Sequence, residues 1–216
     1  MHKKNEIGNT AYSVPADQPR CDDVVVRIDG QPAGLCQTGV ATFATCSLSG
    51  AADIELTFPE PVENVVVRPQ RLGITPEIDD CRVRFRLDTA DSVSVDMEGR
   101  QPVYLFVSPP DEDIPGPDDP GVHYFPAGAV HNVGLLEVGT DETVYIEGGA
   151  VLRGAIHAAD GANIGIRGHG ILDGWDSSHT VEGVHFDNVH LGDCHVRSAD
   201  DMHLFTNARA GGICFG

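Results

Sequence analysis

The 216-residue sequence predicts an all-β protein, an antiparallel β-sandwich followed by a stacked β-solenoid. Three observations carry this expectation. Over the first half, short alternating apolar and polar segments recur at a spacing of roughly eight to twelve residues, with Gly, Pro or Asp between them. From Thr143 to Gly174 the bursts shorten and glycines crowd the corners between them. No window holds a sustained helical apolar period with a cap at each end.

Taken in order, Met1–Gln18 reads as a polar lead-in. The sandwich is expected over about Arg20–Pro109 (residues 20–109). Its strands are Val24–Ile28, Val40–Leu48, Asp53–Phe58, Val65–Arg68, Arg82–Leu87, Ser92–Asp96 and Pro102–Val107. Asp29-Gly30, between two apolar segments, is a hairpin signal, because both residue types tolerate positive φ. The run Ser108–Pro120 (SPPDEDIPGPDDP) holds five prolines among acids. It excludes a central strand or a helix interior, so residues 110–121 are expected to be a stiff, solvated connector.

Val122–Phe125 and Leu135–Val138 open the second module, expected over residues 122–216. Val144–Ile146, Val151-Leu152, Ile164–Ile166 and Ile171-Leu172 continue it. Bursts this short cannot each bury a face alone; stacking on copies of themselves buries a continuous core. Gly148, Gly149, Gly154, Gly161, Gly165, Gly168, Gly170 and Gly174 are expected to supply the corners. From Val184 the apolar residues follow a five-residue rhythm, VHFDN, VHLGD and CHVRS. It resembles the pentapeptide-repeat pattern, and short strands and bends in a larger β-helix produce the same rhythm.

Several segments together resemble the polygalacturonase-like glycoside hydrolases, which carry a β-sandwich ahead of a right-handed parallel β-helix. They are Ala41–Ala44, Val67-Arg68-Pro69, LFVSPPDEDIP ahead of VHYFPAGAVH, TVYIEGGAVLRGAI and IRGHGILDGW, in that order, within about Val24 to Trp175. The resemblance implies a right-handed helix and hydrolysis of glycosidic bonds in a polysaccharide. In that family one carboxylic acid protonates the leaving oxygen while other carboxylates activate water, with inversion at the sugar carbon. The family's Asn-Thr-Asp and Arg-Ile-Lys segments are absent here. Gly168-His169-Gly170 matches the family's structural glycine turn rather than its catalytic histidine. Asp200-Asp201, in VRSADDMHLF, is the candidate for the acidic pair, so the catalytic expectation rests on Asp200 and Asp201. Asp22-Asp23, Asp79-Asp80 and Asp118-Asp119 show that Asp-Asp also arises here in loops.

Two other readings stay open. One is a non-catalytic carbohydrate-binding or structural remnant of the solenoid. The other is a polysaccharide lyase, which needs calcium-binding carboxylates and a basic residue; the second module contains no lysine. No cofactor and no metal are expected: the six cysteines lack Cys-x-x-Cys spacing, and no His-x-His or His-Glu-x-x-His occurs. His185, His190 and His195 recur every five residues and are expected on the surface. A pairing among Cys21, Cys36 and Cys46 stays open, with buried free thiols as the default expectation for the six cysteines.

The formal charge is −19, and all cations but Lys3 and Lys4 are arginines. Such a surface repels nucleic acid and anionic membranes. It also repels a polyanionic substrate, unless the arginines gather in a cleft. The start, MHKKNEIGNTAY, lacks the apolar stretch of a signal peptide. That leaves a cytoplasmic protein, a chain stripped of its signal or a misplaced start. The last residues, TNARAGGICFG, lack a cap, so the expectation is an incomplete solenoid that either self-associates through this end or is soluble only with its missing coils restored.

Overall fold

The computed structural model describes residues 8–39, 41–158 and 161–174, and beyond these the backbone of four two-residue strands. The chain forms two compact units, Met1–Gly174 and Trp175–Gly216. Among the described residues no helix is long and apolar enough to cross a membrane. The first unit opens with the sandwich strands β1 (Thr10–Ala11), β2 (Val25–Ile28), β3 (Gln31–Ala33), β4 (Cys36–Gln37), β5 (Thr42–Ser47), β6 (Ala52–Thr57), β7 (Val66–Arg68), β8 (Glu77–Asp79), β9 (Arg82–Leu87), β10 (Val93–Asp96) and β11 (Val103–Ser108). The solenoid follows with β12 (Val122–Phe125), β13 (Val130–Glu137), β14 (Thr143–Ile146), β15 (Val151–His157), β16 (Gly165–Arg167) and β17 (Ile171–Asp173).

The sandwich has two sheets. One runs β1-β5-β11-β10-β7, with β4 also paired to β5; the other runs β3-β2-β6-β9-β8. Period-two alternation sends Val26, Ile28, Ile54, Leu56, Val83, Phe85 and Leu87 inward from the second sheet. They meet Ala44, Cys46, Val67, Val93, Val95, Leu105 and Val107 from the first. At Asp29-Gly30, φ values of 49° and 77° turn β2 into β3, as that dipeptide predicts. Pairing is antiparallel except between β5 and β11, which run parallel from Val103↔Thr42 to Ser108↔Ser47. Strands far apart in sequence thus meet at the sheet's centre. Burial pushes the Cys46 thiol up to about 12. Cys36 and Cys46 are buried free thiols, as expected; Cys21 and Cys81 are also free but only half-buried.

The solenoid is parallel, in two walls of three strands, β12-β14-β16 and β13-β15-β17. Val122 pairs with Thr143, and Thr143 with Gly165, so one coil takes about 21 residues. Inside lie Val138, Val144, Ile146, Ala150 and Leu152, with Phe125, Val133, Leu136, Ile156 and Ile164 packed around them. At one corner Asp141 and Asn163 occupy equivalent places in successive coils, with φ of 61° and 56°. Their short polar side chains tolerate this left-handed conformation, and Asn163 Nδ2 donates to Asp141 Oδ1 at 2.9 Å. Gly168 has φ +110°, and a Cβ there would overlap the Ile146 carbonyl oxygen. That turn of Gly-His-Gly is therefore fixed by the backbone beneath it.

The second unit contains β18 (His185–Phe186), β19 (His190–Leu191), β20 (Cys194–His195) and β21 (Cys214–Phe215). Strand β18 pairs in parallel with β21, but β19 and β20 are antiparallel, with His190↔His195 and Leu191↔Cys194. The five-residue rhythm thus does not mark successive parallel coils at this point.

Leu152 is fully buried between the walls, whereas Leu172, its partner one coil on, is 49% exposed. Leu152→Ala is expected to destabilise the first unit by about 2–5 kcal/mol, and Leu172→Ala by under about 1 kcal/mol. Paired thermal melts check this; equal losses would mean that the coil interior is not where Val144, Ile146 and Leu152 converge.

Candidate functional site

Asp200 and Asp201 lie outside the described residues. Among the described residues, one polar cluster lies at the seam between sandwich and solenoid and another on the outer face of the second sandwich sheet.

The seam is built around Tyr145. Alternation along β14 turns Val144 and Ile146 inward and Tyr145 outward, yet Tyr145 is only 2% exposed. The start of the connector folds back over it, and Tyr145 donates its phenolic proton to Asp111 Oδ2 at 2.8 Å. Tyr124, its neighbour on β12, stacks on it with ring centroids 5.3 Å apart. Arg167 on β16 donates to the Asp113 carbonyl at 2.8 Å. The start of the connector is thus tied to the solenoid wall as a strap, through the Asp111 side chain and the Asp113 carbonyl, while Glu112 and residues 117–121 are exposed. Burial pushes the Tyr145 phenol far above its ordinary value, and the Asp111 carboxylate adds to the shift.

His169 lies beside this pair. Its Nδ1 shares a 2.8 Å hydrogen bond with Ser108 Oγ at the end of β11, and its Nε2 stands 3.5 Å from Asp111 Oδ2. Tyr12 stacks on the imidazole at 5.3 Å and 20°, and donates its own proton to Ser47 Oγ at 3.0 Å. The Tyr12 ring also rests on Gly148, where any Cβ would overlap it. Ser108, His169 and Asp111 have the residue types of a nucleophilic triad. The imidazole is only 11% exposed and covered by Tyr12, and its buried Nε2 makes no hydrogen bond. A polysaccharide cannot reach such a serine–histidine pair, so the cluster is a clasp joining the two halves of the unit. A second clasp lies on Arg153, which donates to Asp173 at 3.0 Å and to Gln18 at 2.7 Å.

On the second sheet, a groove of about 580 Å³ is lined by Arg27, Arg84 and Arg86 with Asp53, Glu55 and Glu77. Arg84 donates to Glu55 at 2.8 Å and Arg86 to Asp53 at 2.9 Å. The hydrogen bond from Arg84 holds the Glu55 carboxyl below the usual carboxylate range. The arginines do gather in a cleft, but carboxylates match them in number. The groove is charge-balanced and offers no excess positive field to a polyanion. Among the described residues no group of three His, Cys, Asp or Glu side chains is placed to hold a metal ion.

Sequence reasoning missed Tyr12, Gln18 and Asp111. Tyr12 and Gln18 sit in a stretch read as lead-in, and Asp111 in one read as spacer. Only the aromatic at Tyr12, directly after an alternating Thr10-Ala11, hinted at burial.

A sandwich leading into a right-handed parallel β-helix defines the structural class of this chain. Among solved structures the fold is similar to that of Dex49A from Penicillium minioluteum, with a TM-score of 0.53 and 12% identity. The match covers 76% of this chain and 50% of that one, so the chain spans about half the length of that protein. No protein-family model and no curated protein matches the sequence.

The clasp makes alkaline stability a direct readout. A phenol whose folded value is raised contributes stability that is fully present below the ordinary tyrosine value of about 10 and is lost as pH rises above it. Tyr145→Phe is expected to lower stability near neutrality by about 0.5–1.5 kcal/mol and to flatten the alkaline limb. Melting temperatures across that range check it; an unchanged alkaline slope would mean that Tyr145 is not the titrating group.

Proposed function

We propose that this chain acts on a polysaccharide as a glycoside hydrolase of the parallel β-helix type. The observation that carries the reading is the conjunction of sandwich, docked strap and β-helix with the ordered segments LFVSPPDEDIP, TVYIEGGAVLRGAI and IRGHGILDGW, which resemble polygalacturonase-like enzymes. The finer assignment, an inverting polygalacturonase-like hydrolase, rests on that resemblance.

In this reading Asp200 and Asp201 supply the acid and the base. One carboxylic acid gives its proton to the glycosidic oxygen as the bond to the anomeric carbon breaks. The other carboxylate takes a proton from the water that attacks the opposite face. Inversion needs room for that water, with carboxyls roughly 6.5–9.5 Å apart. Neighbours on a strand point to opposite faces, so the pair serves only at a bend.

One observation favours a second reading, a non-catalytic carbohydrate-binding protein: the Asn-Thr-Asp and Arg-Ile-Lys segments of the resembling family are missing. Reducing-sugar release from a panel of neutral and acidic polysaccharides separates the two. Asp200→Asn and Asp201→Asn are each expected to lower turnover by roughly 10²–10⁴-fold without changing the melting temperature. Activity unchanged in Asp201→Asn removes that residue from the mechanism, and no release from any polysaccharide favours the second reading.

A further inference from the structure

The outer face of the first sandwich sheet carries an aromatic strip that packs against no part of the solenoid core. Parallel pairing of β5 with β11 sets Phe43 beside Tyr104 and Thr45 beside Phe106, all on the face opposite the sandwich core. Phe43 and Phe106 meet edge to face, with centroids 5.4 Å apart. Tyr104 and Phe106 lie 6.3 Å apart and only 9° from parallel. Phe106 is 48% exposed. A half-exposed phenylalanine in mid-strand forgoes much of the roughly 1.5–3 kcal/mol that burial of such a side chain provides. Nothing in the strand's own pairing requires an aromatic there.

The surroundings of the strip indicate what fits it. The row through Tyr104 continues to Ser94 and then to Arg68, whose guanidinium is paired with Asp96. Along this row a hydroxyl and one balanced ion pair therefore flank the rings. The faces of aromatic rings carry the negative end of their quadrupole. They complement the weakly positive C–H faces of a neutral pyranose and oppose an anion. The −19 charge of the chain acts in the same direction. The strip is also continuous with the seam. Ser108, two residues beyond Phe106 on the same face and so roughly 7 Å along the strand, bonds to His169 of the solenoid.

From this charge complementarity and continuity we infer that Phe43, Tyr104 and Phe106 form a docking platform for a neutral polysaccharide chain. Sugar rings stack on the aromatic strip, while Thr45, Ser94 and Arg68 hydrogen-bond their hydroxyls. The platform rests on the glycoside-hydrolase reading for the expectation that a glycan is the partner, and by naming a neutral one it separates that reading from the finer polygalacturonase-like assignment.

Affinity electrophoresis of the full chain, in native gels containing soluble starch, mixed-linkage β-glucan, xylan or polygalacturonate, tests it. Retardation is expected in at least one neutral gel and not in polygalacturonate. Phe106→Ala should weaken that retardation about tenfold, and Phe106→Trp should preserve it. Because Phe106 is half-exposed, the alanine variant should keep the wild-type melting temperature; Tyr104→Ala provides an independent second variant. No retardation in any neutral gel, retardation by polygalacturonate alone, or binding unchanged in both alanine variants overturns the platform. So does an aromatic-dependent self-association by light scattering without glycan binding, which would make the strip a contact between copies. Binding without reducing-sugar release leaves the platform standing and removes the hydrolase reading; release unaffected by loss of the rings does the reverse.

Discussion

A solenoid strand can turn a large polar aromatic outward and still bury it only if something roofs the wall. Tyr145 imposes that condition here. Its ring is covered by the strap and its hydroxyl is satisfied by Asp111, so an otherwise expensive buried phenol becomes a point of attachment. Everything along the seam serves the same requirement. Tyr12 covers His169 and Gly148, Ser108 holds the imidazole, and Arg153 ties Asp173 on β17 to Gln18 near the N-terminus. Gly148 and Gly168 are glycines because a Cβ at either place would overlap the Tyr12 ring or the Ile146 carbonyl. The sandwich and the first coils are thereby held in one compact unit.

Much of the fold was legible because its signals are local. Alternation placed Arg82–Leu87 and Val122–Phe125 at their observed bounds, and Asp29-Gly30 turned where the dipeptide says it must. Glycine density marked the corners of the coils. The two-residue and three-residue strands β1, β3, β4 and β8 escaped notice because pairing with longer neighbours, not their own sequence, makes them strands. The parallel pairing of β5 with β11 escaped for a related reason. A period of two reports which face a residue takes but not the direction of its neighbour.

The polar clusters were less legible than the core. Asp111 looked like one more acid in a solvated run, and only the placement of Tyr145 outside the coil gives it a partner. His169 was correctly read as part of a glycine turn, but its contact with Ser108 spans 61 residues and leaves no mark on the local sequence. For the proposed catalytic pair, Asp200 and Asp201, the sequence offers only the chemistry of adjacent carboxylates. Composition makes such pairs common in this chain, so their roles have to come from resemblance rather than pattern.

The two outer faces of the sandwich make the final distinction. Both alternate with the same core, but on the first sheet's outer face Cys36 and Ser47 are buried and Ser108 meets His169 of the solenoid, whereas the second sheet's outer face is lined by charge. There arginines and carboxylates are matched across strands; such exposed pairs contribute a few tenths of a kcal/mol each and keep the face hydrated. The first sheet instead presents Phe43, Tyr104 and Phe106, beginning two residues from the seam. Core packing explains neither face, since the outward residues of both sheets alternate with the inward ones that form the shared core. The platform proposed above accounts for the aromatic part of that first face, and the ion pair in the row through Tyr104, Arg68 with Asp96, is balanced.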